Sequence, residues 1–157
     1  MIQKISIVPR GQALGYVLNF PDEDRYLLTK NELLNKIKVL LGGRAAEQII
    51  FSEITTGASN DLEKATKIAN QMICSYGMSQ VFGNIVIKDQ YRFNQNKIDE
   101  EIKTIINSCY DDAIEIVEEN KIILKEIASH LIERETICGD ALDTIFEKFK
   151  FPLKNAT

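Results

Sequence analysis

Apolar residues recur at helical spacing along most of this chain, and they alternate with polar residues only near its start. The pattern predicts a helix that opens with a Thr29–Glu32 capping box, a helix that ends near Tyr76, and helices from Lys97 almost to the end. Lys4–Val8 and residues 14–20 predict two short paired strands. We therefore predict a mainly α protein of the α+β type, a helical bundle with a small amino-terminal β-hairpin or sheet.

Several residues within this pattern predict interruptions. Gly42 and Gly43 fall inside the first helix, where we expect a kink or a close helix contact. Gly77 suits the left-handed position that ends a helix, and Asn84–Ile87 predicts a short strand followed by a loop over 88–96. Asn120 predicts a break between the last helices, and a final helix is expected to start at Gly139–Asp140.

Composition and charge narrow the class of protein. With 157 residues, 45% of them hydrophobic and 27% charged, the chain has the make-up of a soluble globular domain. A net charge of −4 and the lack of a basic stripe argue against nonspecific nucleic-acid binding. No apolar run approaches the roughly 20 residues of a membrane span, so we expect any membrane anchor to lie outside this sequence.

The cysteines and the histidine limit the possible metal sites. The three cysteines lie far apart without a CxxC pair, which argues against a cysteine-based zinc site and fits a reducing compartment. The single histidine, His130, is expected to be a surface or packed residue. The sequence contains no HExxH, no P-loop and no GxSxG. These absences leave carboxylates as the candidate chemistry.

Asp61 is the carboxylate that the helical pattern singles out. Helical spacing places Asp61 on the same side as Ala65 and Met72, whereas Glu63 faces away. An inward carboxylate needs a hydrogen bond, an ionic partner or a metal. Ser59, Asn60 and Asp61 all suit the N-cap, so spacing favours an internal cap, with a metal ligand or catalytic carboxylate as the alternative.

Two further groups are candidates for a site. Arg44 and Glu47 are three residues apart on the inward side of the first helix, where they either pair with each other or serve other groups. Gly15 lies inside the second predicted strand, which suggests a bulge or a close backbone approach. An edge strand there would accept an extended peptide by strand addition, and a plain small sheet is the alternative.

Four blocks of sequence carry a resemblance to a known family: Ile7–Gly11 with Leu14–Tyr16, Leu40–Glu47, Thr56–Leu62 with Ala65 and Thr66, and Met72 with Tyr76–Met78. They resemble the peptidase domain of FtsH, a membrane-anchored, ATP-dependent AAA+ zinc metalloprotease. The blocks stand in the family's order over about the first half of the chain. The helical second half matches more loosely.

The resemblance implies roles for the candidate residues. In the family, two histidines of HExxH and a downstream aspartate bind zinc, and Asp61 corresponds to that aspartate. Three protein ligands with a fourth position open to water form a catalytic zinc site, and the glutamate of HExxH activates the water. Glu47 matches a family glutamate near the site, and as a carboxylate it could orient a ligating histidine without binding the zinc itself. Arg44 is expected to be a supporting residue of the same kind. Gly15 and Tyr16 are candidates for holding extended substrate.

The resemblance also implies what this sequence lacks. We expect the HExxH helix, the ATP-binding module and the membrane anchor outside it, with residues 1–96 forming part of the zinc-peptidase core and 97–157 a helical part. The complete enzyme is expected to be a hexamer that degrades unfolded and membrane proteins on the cytoplasmic side of a membrane. This chain alone is predicted to be soluble, inactive and without zinc, with Asp61 bonded to backbone N–H groups or to Arg44. The alternative is a non-catalytic helical interaction module, or pseudoprotease.

Overall fold

The computed structural model describes residues 2–11, 14–19, 27–88 and 94–151. Over these residues the chain is mainly helical with one small sheet, which confirms the predicted fold class. The elements are β1 Ile2–Ser6, β2 Tyr16–Asn19, α1 Lys30–Phe51, a 3-10 helix Thr56–Ala58, α2 Ser59–Cys74, α3 Gln95–Glu119, α4 Lys121–Arg134, β3 Thr136–Cys138 and α5 Gly139–Lys148. They divide into two compact units, 1–25 with 120–157 and 26–119.

The sheet belongs to the discontinuous unit formed by the two ends of the chain. β1 lies in its middle and pairs antiparallel with β2 on one side and with β3 on the other. Ile5 is opposite Val17 in β2 and opposite Ile137 in β3. The sequence pattern predicts the first two strands and their pairing, but it does not predict β3.

Gly15 comes just before β2, where the backbone of β1 passes close by. A β-carbon on Gly15 would lie 2.8 Å from the Ser6 carbonyl oxygen. Real β-carbons essentially never come that close, so only glycine fits here without a backbone shift. The close backbone approach predicted for Gly15 is confirmed.

The continuous unit is a three-helix arrangement in which α1 packs against both α2 and α3. Apolar residues spaced four apart give α1 one buried side, because residues four apart lie on one face of a helix. The buried core consists of Leu33, Ile37, Leu41 and Ala45 from α1, Ala65, Ala69 and Met72 from α2, and Cys109 and Ala113 from α3. The alanines let the helix backbones approach closely.

Helix α1 begins as the sequence predicts. The Thr29 amide donates to Glu32 Oε2 at 2.7 Å, and the Glu32 amide donates to Thr29 Oγ1 at 3.2 Å, so the capping box is complete. The helix runs without a break through Gly42 and Gly43. A β-carbon on either glycine would meet no atom within 4 Å, so the close helix contact predicted there is wrong.

The connection from α2 to α3 differs from the prediction in part. Gly77 has φ +64°, the left-handed conformation expected of it. Asn84–Ile87, however, forms no strand, because among the described residues no strand lies beside it. The Ile87 amide instead donates to the Cys74 carbonyl oxygen at 2.8 Å. Residues 89–93 of the predicted loop lie outside the described residues.

Candidate functional site

Asp61 occupies the first turn of α2 and is half-buried. The residue before the helix, Ala58, is its N-cap and makes no side-chain capping bond, so the caps predicted at Ser59, Asn60 and Asp61 are wrong. The reason lies in the preceding 3-10 helix. Its backbone continues directly into α2, with the Ser59 amide donating to the Thr56 carbonyl oxygen.

The Asp61 carboxylate makes no hydrogen bond or ion pair with any residue that the structure describes. The bond predicted from Arg44 or from backbone N–H groups is therefore wrong. Within the described ranges, no side-chain oxygen or nitrogen is both fully buried and unpartnered, so this carboxylate is open to solvent. Asp61 is thus a half-buried carboxylate whose oxygens are available to a ligand.

Thr55 lies six residues before Asp61 and is bonded to α1 through all of its polar groups. Its amide donates to Glu47 Oε2 at 3.2 Å, and its hydroxyl donates to Glu47 Oε1 at 2.6 Å. Its carbonyl oxygen accepts from Arg44 Nη1 at 3.0 Å. The hydroxyl also accepts from the Gly57 amide at 3.1 Å. We call Arg44, Glu47 and Thr55 the Thr55 clamp.

The Thr55 clamp holds Glu47 in its charged form. The hydrogen bond from the Thr55 hydroxyl lowers the pKa of Glu47 most, followed by the bond from the Thr55 amide, and the positive charge of Arg44 lowers it further. Arg44 and Glu47 form no salt bridge with each other. Arg44 donates to the Thr55 carbonyl oxygen, and Glu47 accepts from the Thr55 hydroxyl. Of the two predicted possibilities, they serve another group, and that group is Thr55.

The described residues do not make up a complete zinc site. Among them no group of three or more His, Cys, Asp and Glu side chains is placed to hold a metal ion. A catalytic zinc takes three protein ligands, and Asp61 supplies one carboxylate. His130 belongs to α4, where its Nε2 lies 3.9 Å from Glu126 Oε1. The donor set of the described residues therefore does not fit zinc by itself.

The remaining candidates, Gly15 and Tyr16, belong to the discontinuous unit. Tyr16 opens β2 and pairs with Ser6 of β1. Among the described strands β2 is an outer strand, with one side of its backbone unpaired. Its last three residues, 17–19, are exposed.

The sequence patterns do not point to Thr55, although one signal was present. Thr55 caps the 3-10 helix by accepting from the Gly57 amide, and a Thr-x-Gly run directly before a helix is typical of such local capping. The bonds from Thr55 to α1 cross the turn between two helices, so no spacing rule predicts them. Its role emerges only from the geometry.

Comparison with known protein families shows which family this chain belongs to. Residues 1–145 match the model of peptidase family M41. The chain belongs to peptidase family M41. This M41 chain is 58% identical over 147 residues to the ATP-dependent zinc metalloprotease FtsH 2 of Thermoanaerobacter sp. (strain X514), covering 94% of the chain and 29% of that protein. The resemblance to FtsH is confirmed.

Two less similar relatives also match almost the whole of this chain with about a quarter of their own length. The M41 chain is 42% identical to the ATP-dependent zinc metalloprotease FtsH of Thermotoga maritima, covering 94% of the chain and 27% of that protein. It is 41% identical to the Bacillus subtilis protein of the same name, covering 99% of the chain and 27% of the relative. The chain thus spans less than a third of the length of these relatives. Among the described helices, none combines the length with the hydropathy that a membrane span requires.

Proposed function

We propose that this chain forms part of the peptidase domain of an ATP-dependent zinc metalloendopeptidase that degrades unfolded and membrane proteins. The observation that carries the proposal is the M41 match over residues 1–145, within which Asp61 presents an unbonded, half-buried carboxylate. The names of the relatives support the zinc and ATP requirements. The sequence resemblance adds a hexamer on the cytoplasmic side of a membrane, with its anchor outside this chain.

In this proposal Asp61 is one of three protein ligands to zinc. The other two ligands and the base that activates water come from outside these 157 residues, and so does the ATP-binding module. Asp61 suits the role because its oxygens are free of protein partners within the described ranges. Placement on the first turn of a helix also fixes its backbone. The chain by itself does not hydrolyse peptides.

The outer side of β2 is the proposed place for extended substrate. Gly15 and Tyr16 lead into this strand, and its free backbone groups are able to pair with a peptide by strand addition. The exposed Val17 and Leu18 side chains, 54% and 48% accessible, would add apolar contacts. Such binding depends on backbone shape more than on side chains, which suits a protease that takes unfolded proteins.

The test is a chimera of two proteins. The segment that precedes the matching region in FtsH 2 of Thermoanaerobacter is joined to Met1 of this chain. We expect this chimera to bind about one zinc per chain and to cleave a labelled unfolded protein in the presence of ATP. Asp61→Asn should abolish both zinc binding and cleavage, because it removes one zinc ligand. Glu63→Gln is the matched control, since Glu63 is exposed on the same helix.

Two results would contradict the proposal. One is an Asp61→Asn chimera that retains stoichiometric zinc and cleaves as the parent does. The other is tight, stoichiometric zinc in the 157-residue chain on its own, measured by metal analysis after dialysis. A chimera that assembles but never binds zinc or cleaves would favour the interaction module instead.

A further inference from the structure

We propose that Thr55 is a positioning residue for Asp61, and that Glu47 and Arg44 act on the site through Thr55. In this inference the Thr55 clamp fixes the segment between α1 and α2 to α1, and thereby sets where the Asp61 carboxylate lies. It rests on the proposed function, in which Asp61 is a zinc ligand. It assigns Glu47 a task other than orienting a histidine directly.

The first argument is that the segment has few other attachments. Between the end of α1 at Phe51 and the start of α2 at Ser59, Thr55 makes three hydrogen bonds to α1 side chains. Each uses a different polar group of Thr55, so its amide, hydroxyl and carbonyl are fixed together. One residue is thereby held in both position and orientation.

The second argument is that the chain from Thr55 to Asp61 has little freedom. The Thr55 hydroxyl accepts from the Gly57 amide, and the Ser59 amide donates to Thr56 as the 3-10 helix continues into α2. Two hydrogen bonds therefore link the Thr55 clamp, through the 3-10 helix, to the start of α2. Because these two bonds tie the segment to Thr55, a displacement of Thr55 would shift the backbone that carries Asp61.

The third argument is the space around Gly57. A β-carbon there would lie 3.2 Å from Thr55 Oγ1 and 3.8 Å from Glu47 Oε1. The backbone of residue 57 thus packs directly against the two oxygen-bearing groups of the Thr55 clamp. A larger residue would force the Thr55 hydroxyl to give way by a few tenths of an ångström.

The fourth argument concerns the alternative role of Glu47. Both of its carboxylate oxygens already accept hydrogen bonds from Thr55, at 3.2 and 2.6 Å. These bonds lower the pKa of Glu47, so the charged form that accepts them is the form present at neutral pH. Charge-assisted bonds of this kind are shorter and stronger than neutral ones. Both carboxylate oxygens of Glu47 are therefore engaged by Thr55.

The first experiment uses the 157-residue chain itself. Thr55→Val keeps the side-chain shape and removes the hydroxyl, Thr55→Ser keeps the hydroxyl, and Thr56→Val is the matched control at the exposed neighbouring residue. In Thr55→Val we expect the pKa of Glu47, followed by NMR, to rise, and exchange of the Gly57 amide to speed up by about fivefold. Thr55→Ser and Thr56→Val should match the parent.

The second experiment measures zinc affinity in the chimera described above. Thr55→Val should weaken zinc binding by about 10–100-fold, the range typical when a residue supporting a ligand is removed. Thr55→Ser should restore it, and Thr56→Val should leave it unchanged. If Thr55→Val does not fold, Glu47→Gln takes its place, because its amide leaves one oxygen for the two Thr55 donors.

The outcomes separate the two proposals. If Asp61→Asn keeps its zinc, the proposed function fails whatever Thr55 does. If Asp61→Asn loses zinc while folded Thr55→Val binds it as tightly as the parent, the positioning role of Thr55 is refuted and the proposed function stands. A purely structural role for Thr55 would lower the melting temperature without changing zinc affinity, and that result would also refute the inference.

Discussion

Leu41 provides a quantitative test of the core that holds α1 in place. Its side chain is 1% exposed and lies in the cluster shared by α1, α2 and α3. Leu41→Ala removes three carbon groups at about 0.8 kcal/mol each, so the transfer contribution is about 2.4 kcal/mol. The cavity left behind raises the expected loss of unfolding free energy to about 3–5 kcal/mol.

Urea unfolding followed by circular dichroism measures this loss. With a urea dependence of about 2 kcal/mol per M, the midpoint should fall by about 1.5–2.5 M. Val39→Ala is the matched control, because Val39 lies on the same helix but is 80% exposed. It should change the unfolding free energy by no more than about 0.5 kcal/mol. If Leu41→Ala shifts the midpoint no further than Val39→Ala, the assigned core is wrong.

Two further predictions concern glycines and acid. Gly43→Ala should stabilise the chain by about 0.5–1 kcal/mol, since Gly43 lies mid-helix and a new β-carbon would have no neighbouring atom within 4 Å. Gly15→Ala should destabilise the chain by about 1–3 kcal/mol, because its β-carbon would lie 2.8 Å from the Ser6 carbonyl oxygen. Urea midpoints that moved in the same direction for both variants would contradict this prediction. Glu47 has a lowered pKa in the folded chain, so its stabilising contribution is present above its ordinary value of 4.5 and is lost as the pH falls through the folded value. Glu47→Gln should therefore reduce the loss of unfolding free energy on acidification, and an unchanged pH profile would count against the bonds to Thr55.

The local signals in the sequence predict the helices well. Thr29 and Glu32 fix the start of α1 because the capping box is satisfied within four residues. Gly77 follows α2 in the conformation that its lack of a side chain allows. These features depend on neighbours in the sequence, so a pattern is enough to find them.

Strands and close approaches depend on distant partners, so the patterns predict only some of them: the pairing of β1 with β2 and the close approach at Gly15 are predicted correctly, whereas three other features are not. Asn84–Ile87 has the composition of a strand but finds no partner strand in the described part of the chain. β3 has only three residues, and it is a strand because it pairs with β1. Gly42 and Gly43 looked like a helix contact, yet their surroundings are open in this chain.

The sequence likewise predicts some features of the candidate site and misses others. Helical spacing predicts that Asp61 is turned inward, and the structure finds it half-buried. The predicted caps are wrong because the 3-10 helix Thr56–Ala58 supplies backbone bonds at the start of α2. Arg44 and Glu47 are recognisable as a pair from their spacing, but the residue that joins them, Thr55, is eight residues from Glu47 and follows no helical rule.

The central place of β1 in its sheet has a consequence for synthesis of the chain. Ser6 and Thr136 face each other although 130 residues separate them. At about 5–20 residues per second, β3 is made about 6–26 s after β1. Until then β1 has only β2 as a partner, and a lone two-stranded hairpin is marginal in water. The helices α1 to α3 are complete in sequence before β3 exists, so β1 reaches its full native pairing only after these helices have been made, and its open edge is exposed to other chains meanwhile.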